Sequence, residues 1–396
     1  MMTKGGEGMK RAMVVLANLI WEWEEMPTGW SRVRVKYLYK GSGDRRDYDR
    51  SRPVSLISCV GKAVSVLWYK RLEREVEVKL HDGQSGFRKY RGVRDLWWTL
   101  EGILNRRMSR GAKTYVGFID FKKAFDRVWR EGLWWKLDQK GVKGKMWRVI
   151  QRWYDGSEVK AEWMGAETGW MDVDLGVRQG CVLSGLLFAV YVDDLFEWLD
   201  LTTGGVTIGE GEEWEERVDA MMYADDLTMV AEDAEGLEAM LDVLGQWCRE
   251  WRMDLSSGLG KKAKSEVVVF GEKGIERRKG WKVGEGGEVI KEAEWTRLLG
   301  VEIDEMMKME RYRKGMAQKT GGLMLGLREV GKVMGEEAAM KAWRSFMQTR
   351  LVYGCEVFVW WTKKIRGDMD KVQREVWRKV LGLDRGTNNA LLYGEV

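Results

Sequence analysis

The 396-residue chain has few prolines, histidines and cysteines, and the shortage of metal-binding residue types excludes a zinc module. It contains 2 Pro, 1 His and 4 Cys. The cysteines are far apart in the sequence, at positions 59, 181, 248 and 355. A lone histidine, His81, and cysteines without close spacing cannot supply the ligands of a zinc knuckle or ribbon. The cysteines are therefore predicted to be reduced thiols of an intracellular protein.

Long apolar runs are also missing. No run reaches the ~20 apolar residues that a membrane-spanning helix needs, so no membrane partner is expected. Residues 9–20 combine a cationic start with a short apolar run, as a signal peptide does. They lack a cleavage site of small residues and continue into WEWEE, so they predict an amphipathic helix instead.

The shortages of proline and histidine have a common explanation in codon usage. Codons for proline, histidine, glutamine and threonine all require C, whereas those for the abundant 23 Trp, 48 Gly and 23 Met are rich in G and T. We infer a coding strand biased toward G and T. The tryptophan pairs at 97–98, 134–135 and 360–361 are accordingly not interpreted as platforms for stacking bases.

The charge balance is mildly basic and uneven. Net charge is +5, with a pI near 8.8. Residues 31–52 carry eight Lys or Arg against three Asp, and residues 363–379 carry seven against three acids. Such clusters suit a phosphate backbone or a triphosphate, although a solvated charged face is the alternative for each.

Two adjacent carboxylates interrupt an apolar run at 221–230, MMYADDLTMV. The pattern predicts two buried strands joined by a turn that carries Asp225 and Asp226. Each of two neighbouring carboxylates disfavours ionisation of the other, and a bound divalent cation such as Mg²⁺ removes that difficulty. A solvated Asp-Asp turn is the alternative.

A third carboxylate follows another apolar run. Residues 115–119 predict a strand that ends at Asp120, and apolar residues at helical spacing predict a helix over 123–138. If this strand lies beside the 221–230 hairpin, three carboxylates converge and can bind two cations for an in-line phosphoryl displacement. For Asp120 alone, a helix N-cap is the alternative.

The chain resembles the reverse transcriptases of non-LTR (LINE-like) retrotransposons over nearly its whole length. The matching blocks stand in the family's order: RPVSLISCVGKAVSVL (52–67), DGQSGFRKYRGVRD (82–95), FIDFKKAFDRVW (118–129, motif A), GVRQGCVLSGLLFAVYVDDL (176–195, motif B), MMYADDLTMV (221–230, motif C), KAKSEVVVFG (262–271, motif D) and WTRLLGVEID (295–304, motif E). YGCEVFVWW (353–361) resembles the helical region beyond the palm. Seven ordered blocks make a chance match very improbable.

This resemblance implies an α+β, right-hand polymerase fold. Fingers and a palm with an antiparallel sheet would occupy 31–304, after a leading helix in 1–30 and before a helical, thumb-like region in 305–396. Asp120, Asp225 and Asp226 would be the catalytic carboxylates that hold two Mg²⁺ ions.

The resemblance also implies a nucleotide pocket. Lys40 and Arg52 would meet the incoming triphosphate, and Gln179 and Gly180 would line the pocket for template and nucleotide. Phe125 would be the steric gate that excludes a 2′-hydroxyl, although it also lies on the apolar stripe of its helix and could be core. Lys264 is the best match for a general acid that protonates pyrophosphate, with Lys261 and Lys262 as rivals.

The chain departs from the family pattern at three places. Val182 and Gly185 stand where family members usually have proline, and residues 254–258 read DLSSG where an Asn-containing turn is usual. These changes remove no chemical group, although loss of proline costs conformational entropy on folding. They bear on loop stability rather than on catalytic competence.

Three functional hypotheses follow. The first is an RNA-directed DNA polymerase that extends a DNA primer with dNTPs on an RNA template. It would work at the nuclear site of integration, within a longer polyprotein or with a separate endonuclease. The second is an RNA-directed RNA polymerase, which Phe125 argues against. The third is a catalytically decayed remnant that binds RNA.

Overall fold

The structure is a computed structural model. It describes residues 6–41, 43–209, 215–260, 263–274, 277–308, 311–312, 314–315, 332–349, 352–354, 363–384 and 386–389. Residues 355–361 of the YGCEVFVWW block, Cys355 among them, and the rival lysines at 261 and 262 lie outside the described residues.

The helices follow the amphipathic stretches of the sequence. In chain order they are α1 (Gly6–Trp23), α2 (Cys59–Val76), α3 (Val93–Ser109), α4 (Ala124–Arg127), α5 (Arg130–Gln139), α6 (Gly144–Tyr154), α7 (Val182–Val192), α8 (Asp194–Leu199), α9 (Ala234–Glu250), α10 (Glu336–Ala342) and α11 (Lys363–Val380). The single helix predicted over 123–138 is interrupted at residues 128–129, so α4 and α5 are separate. The Ser58 side chain caps α2 by accepting a hydrogen bond from the Gly61 amide, and the Asp233 side chain caps α9 by accepting one from the Gly236 amide.

The strands are short, and those of the predicted palm lie where the sequence places them. They are β1 (Arg32–Tyr39), β2 (Ser51–Leu56), β3 (Thr114–Asp120), β4 (Glu158–Trp163), β5 (Ala166–Glu167), β6 (Met171–Asp172), β7 (Val206–Ile208), β8 (Glu216–Val218), β9 (Ala220–Tyr223), β10 (Asp226–Ala231), β11 (Glu266–Phe270), β12 (Trp281–Val283), β13 (Glu288–Glu292), β14 (Trp295–Leu298) and β15 (Val301–Asp304). The predicted strand at 115–119 is confirmed as β3, and the two strands predicted from the 221–230 run are confirmed as β9 and β10.

Contacts between residues divide the chain into two units. The first is composed of Met1–Leu96, Tyr115–Val267 and Arg278–Glu292. The second is composed of Trp97–Thr114, Val268–Arg277 and Ala293–Val396. The candidate site described below lies entirely in the first unit.

The main sheet of the first unit has the strand order β12-β13-β11-β3-β10-β9. β10 pairs antiparallel with both β3 and β9, as predicted for the palm, whereas β11 and β13 run parallel. The apolar run of β3 is almost completely buried, so its single acidic residue emerges at the strand's carboxyl end. This order places the strand of Asp120 directly beside the hairpin of the two other carboxylates.

The apolar helix α7 is central to the core of the first unit. Residues 183–192 are all buried, and α7 packs against α2 and α5. Trp153, Trp247 and Phe188 are among the large side chains that fill this core. Trp98 and Trp135, which belong to two of the tryptophan pairs noted in the sequence, are by contrast 56% and 55% exposed.

A second sheet of the first unit has the order β2-β1-β4-β5, with β6 also paired to β4. β1 and β2 form an antiparallel hairpin in which Leu38 lies opposite Arg52. Of the eight basic residues of 31–52, four lie on these strands (Arg32, Arg34, Lys36 and Arg52) and four lie in the segment between them (Lys40, Arg45, Arg46 and Arg50). These cations are partly ion-paired, as Arg32 is with Glu158 and Lys36 is with Glu162.

The second unit contains the antiparallel hairpin of β14 and β15, in which Leu298 pairs with Val301. The Tyr353 hydroxyl donates a hydrogen bond to the Leu299 carbonyl in the turn, at 2.7 Å. The described helices of this unit include α10, α11 and residues 97–109 of α3, and Trp343 and Trp377 are buried. Among the residues that the structure describes, no helix is both long and apolar enough to cross a membrane.

Candidate active site

The hairpin of β9 and β10 carries Asp225 and Asp226 at its turn. Tyr223 pairs with Asp226, so Ala224 and Asp225 are the two turn residues. Ala224 has a positive φ of 59°, a conformation that short hairpin turns require and that costs a non-glycine residue energy. The tight turn keeps both carboxylates at the end of the sheet while the apolar strands remain buried.

The strand register brings the third carboxylate to the same end. Asp120 is the last residue of β3 and lies directly opposite Asp226 of β10. Each of the three aspartates is half-buried. The convergence predicted from the two apolar runs is therefore observed.

The electrostatics of this cluster reflect crowded negative charge. Burial, reinforced by the charges of Asp225 and Asp120, raises the pKa of Asp226 to about 6. Burial and Asp120 also raise the pKa of Asp225, against opposition from Lys264 and Arg52. Crowding and burial of the three carboxylates therefore disfavour their simultaneous ionisation unless positive charge is nearby.

Lys264 is the side chain that contacts Asp120. Its Nζ donates to both carboxylate oxygens, each at 2.9 Å. The Asp120 backbone is also fixed, because its amide donates to the Ser265 hydroxyl at 3.1 Å and its carbonyl accepts from the Ser256 amide at 2.7 Å. Lys264 and Asp120, predicted separately, are thus direct partners.

The donor chemistry of the cluster fits Mg²⁺, although its geometry is not a finished cage. Three carboxylates supply the hard oxygen ligands that Mg²⁺ prefers. Over the described ranges, no group of three or more His, Cys, Asp or Glu is arranged so that it could hold a metal ion. Because Lys264 engages both oxygens of Asp120, metal binding by all three carboxylates requires that this ion pair open.

Phe125 lies between two other aromatic rings. It stacks on Phe188 of α7, with ring centroids 4.7 Å apart and planes 15° from parallel. The edge of Phe87 approaches it at 5.8 Å with the planes at 79°. Phe125 is only half-buried, so it both belongs to an aromatic cluster and remains accessible on one side.

Gln179 and Gly180, two of the residues predicted for the nucleotide pocket, lie just before α7, the helix that carries Phe188. The Gln179 carbonyl accepts a hydrogen bond from the Ser55 amide of β2 at 2.8 Å. Gly180 has φ of +109°, and a Cβ there would lie 3.2 Å from the Ser55 carbonyl oxygen. The start of the predicted motif B therefore rests on β2, where glycine permits close approach of two backbones.

Arg52, on β2 next to this contact, is exposed, and its charge lowers the pKa of Asp225. Lys40 follows β1, and its amide donates to the Arg50 carbonyl at 2.8 Å. Strand alternation gives Lys40 and Arg52 the same face of the hairpin. The structure thus associates Arg52 with the carboxylate cluster electrostatically and Lys40 with Arg52 by register.

Residues 83–88 are part of the site, and the sequence reasoning gave them no role. Ser85 donates through its amide to the Met222 carbonyl at 2.8 Å, and the Met222 amide donates to the Gly83 carbonyl at 2.9 Å. This segment therefore covers the outer edge of β9. The signal that could have revealed it is Gly86 within the recognised 82–95 block, because an isolated glycine often marks close backbone approach.

Gly86 fits tightly against the turn of the acidic hairpin. A Cβ at this position would lie 2.1 Å from the Ala224 amide nitrogen and 2.8 Å from its Cα. Both are backbone atoms, so the turn itself would have to move. We expect Gly86→Ala to reduce primer extension by about 100-fold, since misplacing reacting groups by about 1 Å has effects of this size.

The matched control for this substitution is Gly92→Ala. A Cβ at Gly92 has nothing within 4 Å, and its φ is not positive. Initial rates of primer extension and circular dichroism of both variants would be compared with those of the unaltered chain. Equal rates for the two variants would contradict the assigned role of the contact between Gly86 and Ala224.

The structure describes the contacts at the three places where the chain departs from the family pattern. Val182 is the first residue of α7, and the ring of Phe87 lies over Gly185. In the DLSSG segment, the Ser256 carbonyl accepts hydrogen bonds from the Lys264 and Ser265 amides at 3.1 and 3.0 Å. The segment that replaces the usual turn thus connects the backbones that carry Lys264 and Asp120.

Antiparallel strands with one carboxylate at the end of β3 and two on the adjacent β9–β10 hairpin have the arrangement of a polymerase palm. The chain belongs to the reverse transcriptase (RNA-dependent DNA polymerase) family, which it matches over residues 41–303. This membership agrees with the right-hand polymerase fold predicted from the sequence.

Curated relatives come from non-LTR mobile elements. The RNA-directed DNA polymerase from mobile element jockey of Drosophila melanogaster is 23% identical over 363 residues, covering 88% of this chain and 35% of the relative. The Pol polyprotein from the type-1 element R2 of Popillia japonica is 28% identical over 235 residues, covering 59% and 32%. The chain spans about a third of the length of these relatives.

Among solved structures, telomerase from Candida tropicalis in complex with a telomeric RNA fragment is similar at 10% identity and a TM-score of 0.47. The alignment covers 94% of this chain and 62% of that chain.

Proposed function

We propose that this chain is the RNA-directed DNA polymerase core of a non-LTR retrotransposon. The observation that carries the proposal is the convergence of Asp120 with Asp225 and Asp226 at the end of the main sheet, in a chain of the reverse transcriptase family. The reaction joins a dNTP to a primer 3′-hydroxyl on an RNA template and releases pyrophosphate.

The three aspartates would hold two Mg²⁺ ions. Bound there, the ions would supply Lewis-acid stabilisation of the attacking and leaving oxygens in an in-line displacement. The chain's own part is to fix the carboxylates, which the register of β3 with β10 and the turn at Ala224 do. The half-buried setting strengthens their attraction for a cation.

The remaining predicted residues would bind the nucleotide. Arg52 and Lys40 are cations on one face of the β1–β2 hairpin, suited to a triphosphate. Gln179 and Gly180 would line the pocket for template and nucleotide. Lys264 would protonate the leaving pyrophosphate, a role that requires it to release Asp120 first.

We further propose the division into a leading helix in 1–30, fingers and palm in 31–304 and a thumb-like region in 305–396. The partners would be an RNA template and a DNA primer, at a nuclear site of integration. Because the chain spans about a third of its curated relatives, further domains or a separate endonuclease would complete the element's cycle.

The decayed-remnant alternative is not favoured, because Asp120, Asp225 and Asp226 are all present and lie at the same end of the main sheet. The test is primer extension by purified chain on RNA and DNA templates with Mg²⁺ and either dNTPs or NTPs. We expect RNA-templated extension with dNTPs. Folded protein that binds RNA and never extends a primer would support the remnant instead.

Phe125 separates a DNA polymerase from an RNA polymerase. We expect Phe125→Ala to raise the use of NTPs relative to dNTPs by about 100-fold, because an apolar ring that fills the space of a hydroxyl is the filter. Single-nucleotide insertion kinetics with dGTP and GTP would measure the ratio. An unchanged ratio would mean that Phe125 is a core residue and not the steric gate.

A further inference from the structure

Phe87 has a backbone and an exposure that are unusual for a phenylalanine. Its φ is +60°, in the left-handed region that bulky residues rarely occupy. Its side chain is also 44% exposed, so hydrophobic burial does not account for the strained conformation. Strain of this kind tends to persist at functional sites, where the surroundings enforce it.

The residues on both sides of Phe87 enforce that conformation. On one side, Gly86 lies against Ala224 of the acidic turn, as described above. On the other, Arg88 donates to the Glu77 carboxylate at 2.9 Å and to the His81 and Gln84 carbonyls at 2.7 and 3.1 Å. The Arg88 side chain is 6% exposed, so this anchor is buried and charge-assisted.

The ring of Phe87 rests on the backbone of α7 at Gly185. A Cβ at Gly185 would lie 2.4 Å from Cδ1 and 2.6 Å from Cγ of Phe87, closer than real atoms approach. Glycine at this helix position therefore makes the room that the ring occupies. Gly185 is one turn before Phe188, so the two share a face of α7.

Phe125 is held from two directions by this arrangement. Phe188 covers one face of its ring, and the edge of Phe87 meets it nearly perpendicular, a favourable geometry for aromatic pairs. Because Phe188 is buried in the core and Phe87 is anchored by Arg88, neither support can easily turn away. The orientation of Phe125 thus depends on a residue outside its own helix.

We propose that Phe87, seated on Gly185, is a positioning residue for sugar discrimination, which it controls by fixing the orientation of Phe125. The inference rests on the proposed function, in which Phe125 excludes the 2′-hydroxyl. It adds that Gly185 permits this arrangement, because a larger residue there would displace the ring of Phe87.

The measurement is the ratio of kcat/KM for dGTP to that for GTP in single-nucleotide insertion on an RNA template. We expect Phe87→Leu and Gly185→Ala each to lower this ratio by about tenfold, since small changes in a steric pocket have effects of this order. The double variant Phe87→Ala with Gly185→Ala should give the same ratio as Phe87→Ala alone, because alanine lacks the Cγ and Cδ atoms that the added methyl group would displace. Independent effects would multiply instead, and multiplication would overturn the inference.

One background and one control variant test whether Phe87 acts through Phe125. In a Phe125→Ala chain, Phe87→Leu should change the ratio no further. Tyr90→Leu is the matched control, because Tyr90 lies in the same segment with φ of +63° and 91% exposure. Its substitution should leave the ratio unchanged, and a change equal to that of Phe87→Leu would overturn the inference.

The outcomes separate this inference from the proposed function. Extension by the unaltered chain with ratios unmoved by Phe87→Leu would overturn the positioning role and leave the polymerase function standing. Absence of extension by folded, unaltered chain would overturn the function and the inference together. If Gly185→Ala fails to fold, Phe87→Leu still tests the positioning role, together with the Phe125→Ala background and the Tyr90→Leu control.

Discussion

Asp225→Asn is expected to abolish primer extension, with a fall in rate of about 10³-fold or more. The substitution keeps the size and shape of the side chain and removes one negative charge. A metal ligand that contributes several kcal/mol of transition-state stabilisation corresponds to such a factor, at about 1.4 kcal/mol for each tenfold change. RNA binding should be nearly unchanged, because Asp225 carries no positive charge that could bind the phosphates of the RNA.

The matched control is Asp242→Asn, which removes one exposed carboxylate from α9 in the same unit. Rates of RNA-templated extension and RNA affinities would be measured for both variants and the unaltered chain. A rate for Asp225→Asn within about threefold of the unaltered chain would contradict the two-metal assignment. Loss of activity in both variants would indicate a general sensitivity to lost carboxylates rather than a metal site.

Lys136→Met is expected to destabilise the first unit by about 3 kcal/mol. Lys136 is buried, and its Nζ donates to the Tyr191 carbonyl at 2.5 Å and to Asp194 at 2.6 Å. The ammonium also lies 3.4 Å from the centre of the Trp251 ring. Removing one partner of a buried ion pair leaves the other charge uncompensated, which typically costs about 3–5 kcal/mol.

A double variant separates the effect of the unpaired Asp194 charge from the effect of altered packing at position 136. Lys136→Met combined with Asp194→Asn removes both charges, and Trp247 can still donate its indole hydrogen to the amide oxygen at position 194. We expect the double variant to regain most of the stability lost in the single one. Urea midpoints at pH 7 would measure both, and equal midpoints for single and double variants would contradict the charge-based account.

The same lysine predicts a pH dependence. Burial, opposed by Asp194, lowers the pKa of Lys136 to about 8 from its usual value near 10.5. Between these values the unfolded chain binds more protons than the folded chain, so stability from this group rises as pH increases through the window. The free energy of unfolding of the unaltered chain relative to Lys136→Met should therefore increase from pH 8 to pH 10. A decrease over that range would contradict the sign.

Much of the candidate site could be predicted, because short patterns of neighbouring residues determine its strands and its turn. Apolar runs bounded by Asp120 and by Asp225–Asp226 predicted the strands β3, β9 and β10, and the structure confirms them. Alternation and burial act over neighbouring residues, so such patterns survive without knowledge of the rest of the chain. The resemblance of seven ordered blocks added the family, which the match over residues 41–303 confirms.

The interruption between α4 and α5 was not predictable in the same way. The apolar spacing over 123–138 continues through residues 128–129, and nothing in that pattern marks an end. In the structure, the Gly176 amide donates to the Val128 carbonyl, so a distant segment takes up a backbone group at the break. Tertiary hydrogen bonding overrode local propensity there.

The sequence by itself determined the family, the strand and hairpin that carry the three carboxylates, and the identity of the candidate nucleotide-binding side chains. The strands follow from periodicities that neighbouring residues impose on one another, whereas the family and the candidate nucleotide-binding side chains follow from the resemblance of seven ordered blocks. Only the tertiary structure decided that Lys264 pairs with Asp120, that Gly86 lies against the acidic turn, and that Phe87 occupies the space over Gly185. Such contacts join residues about 100 or more positions apart, and close packing selects them through shapes and distances that no local pattern encodes.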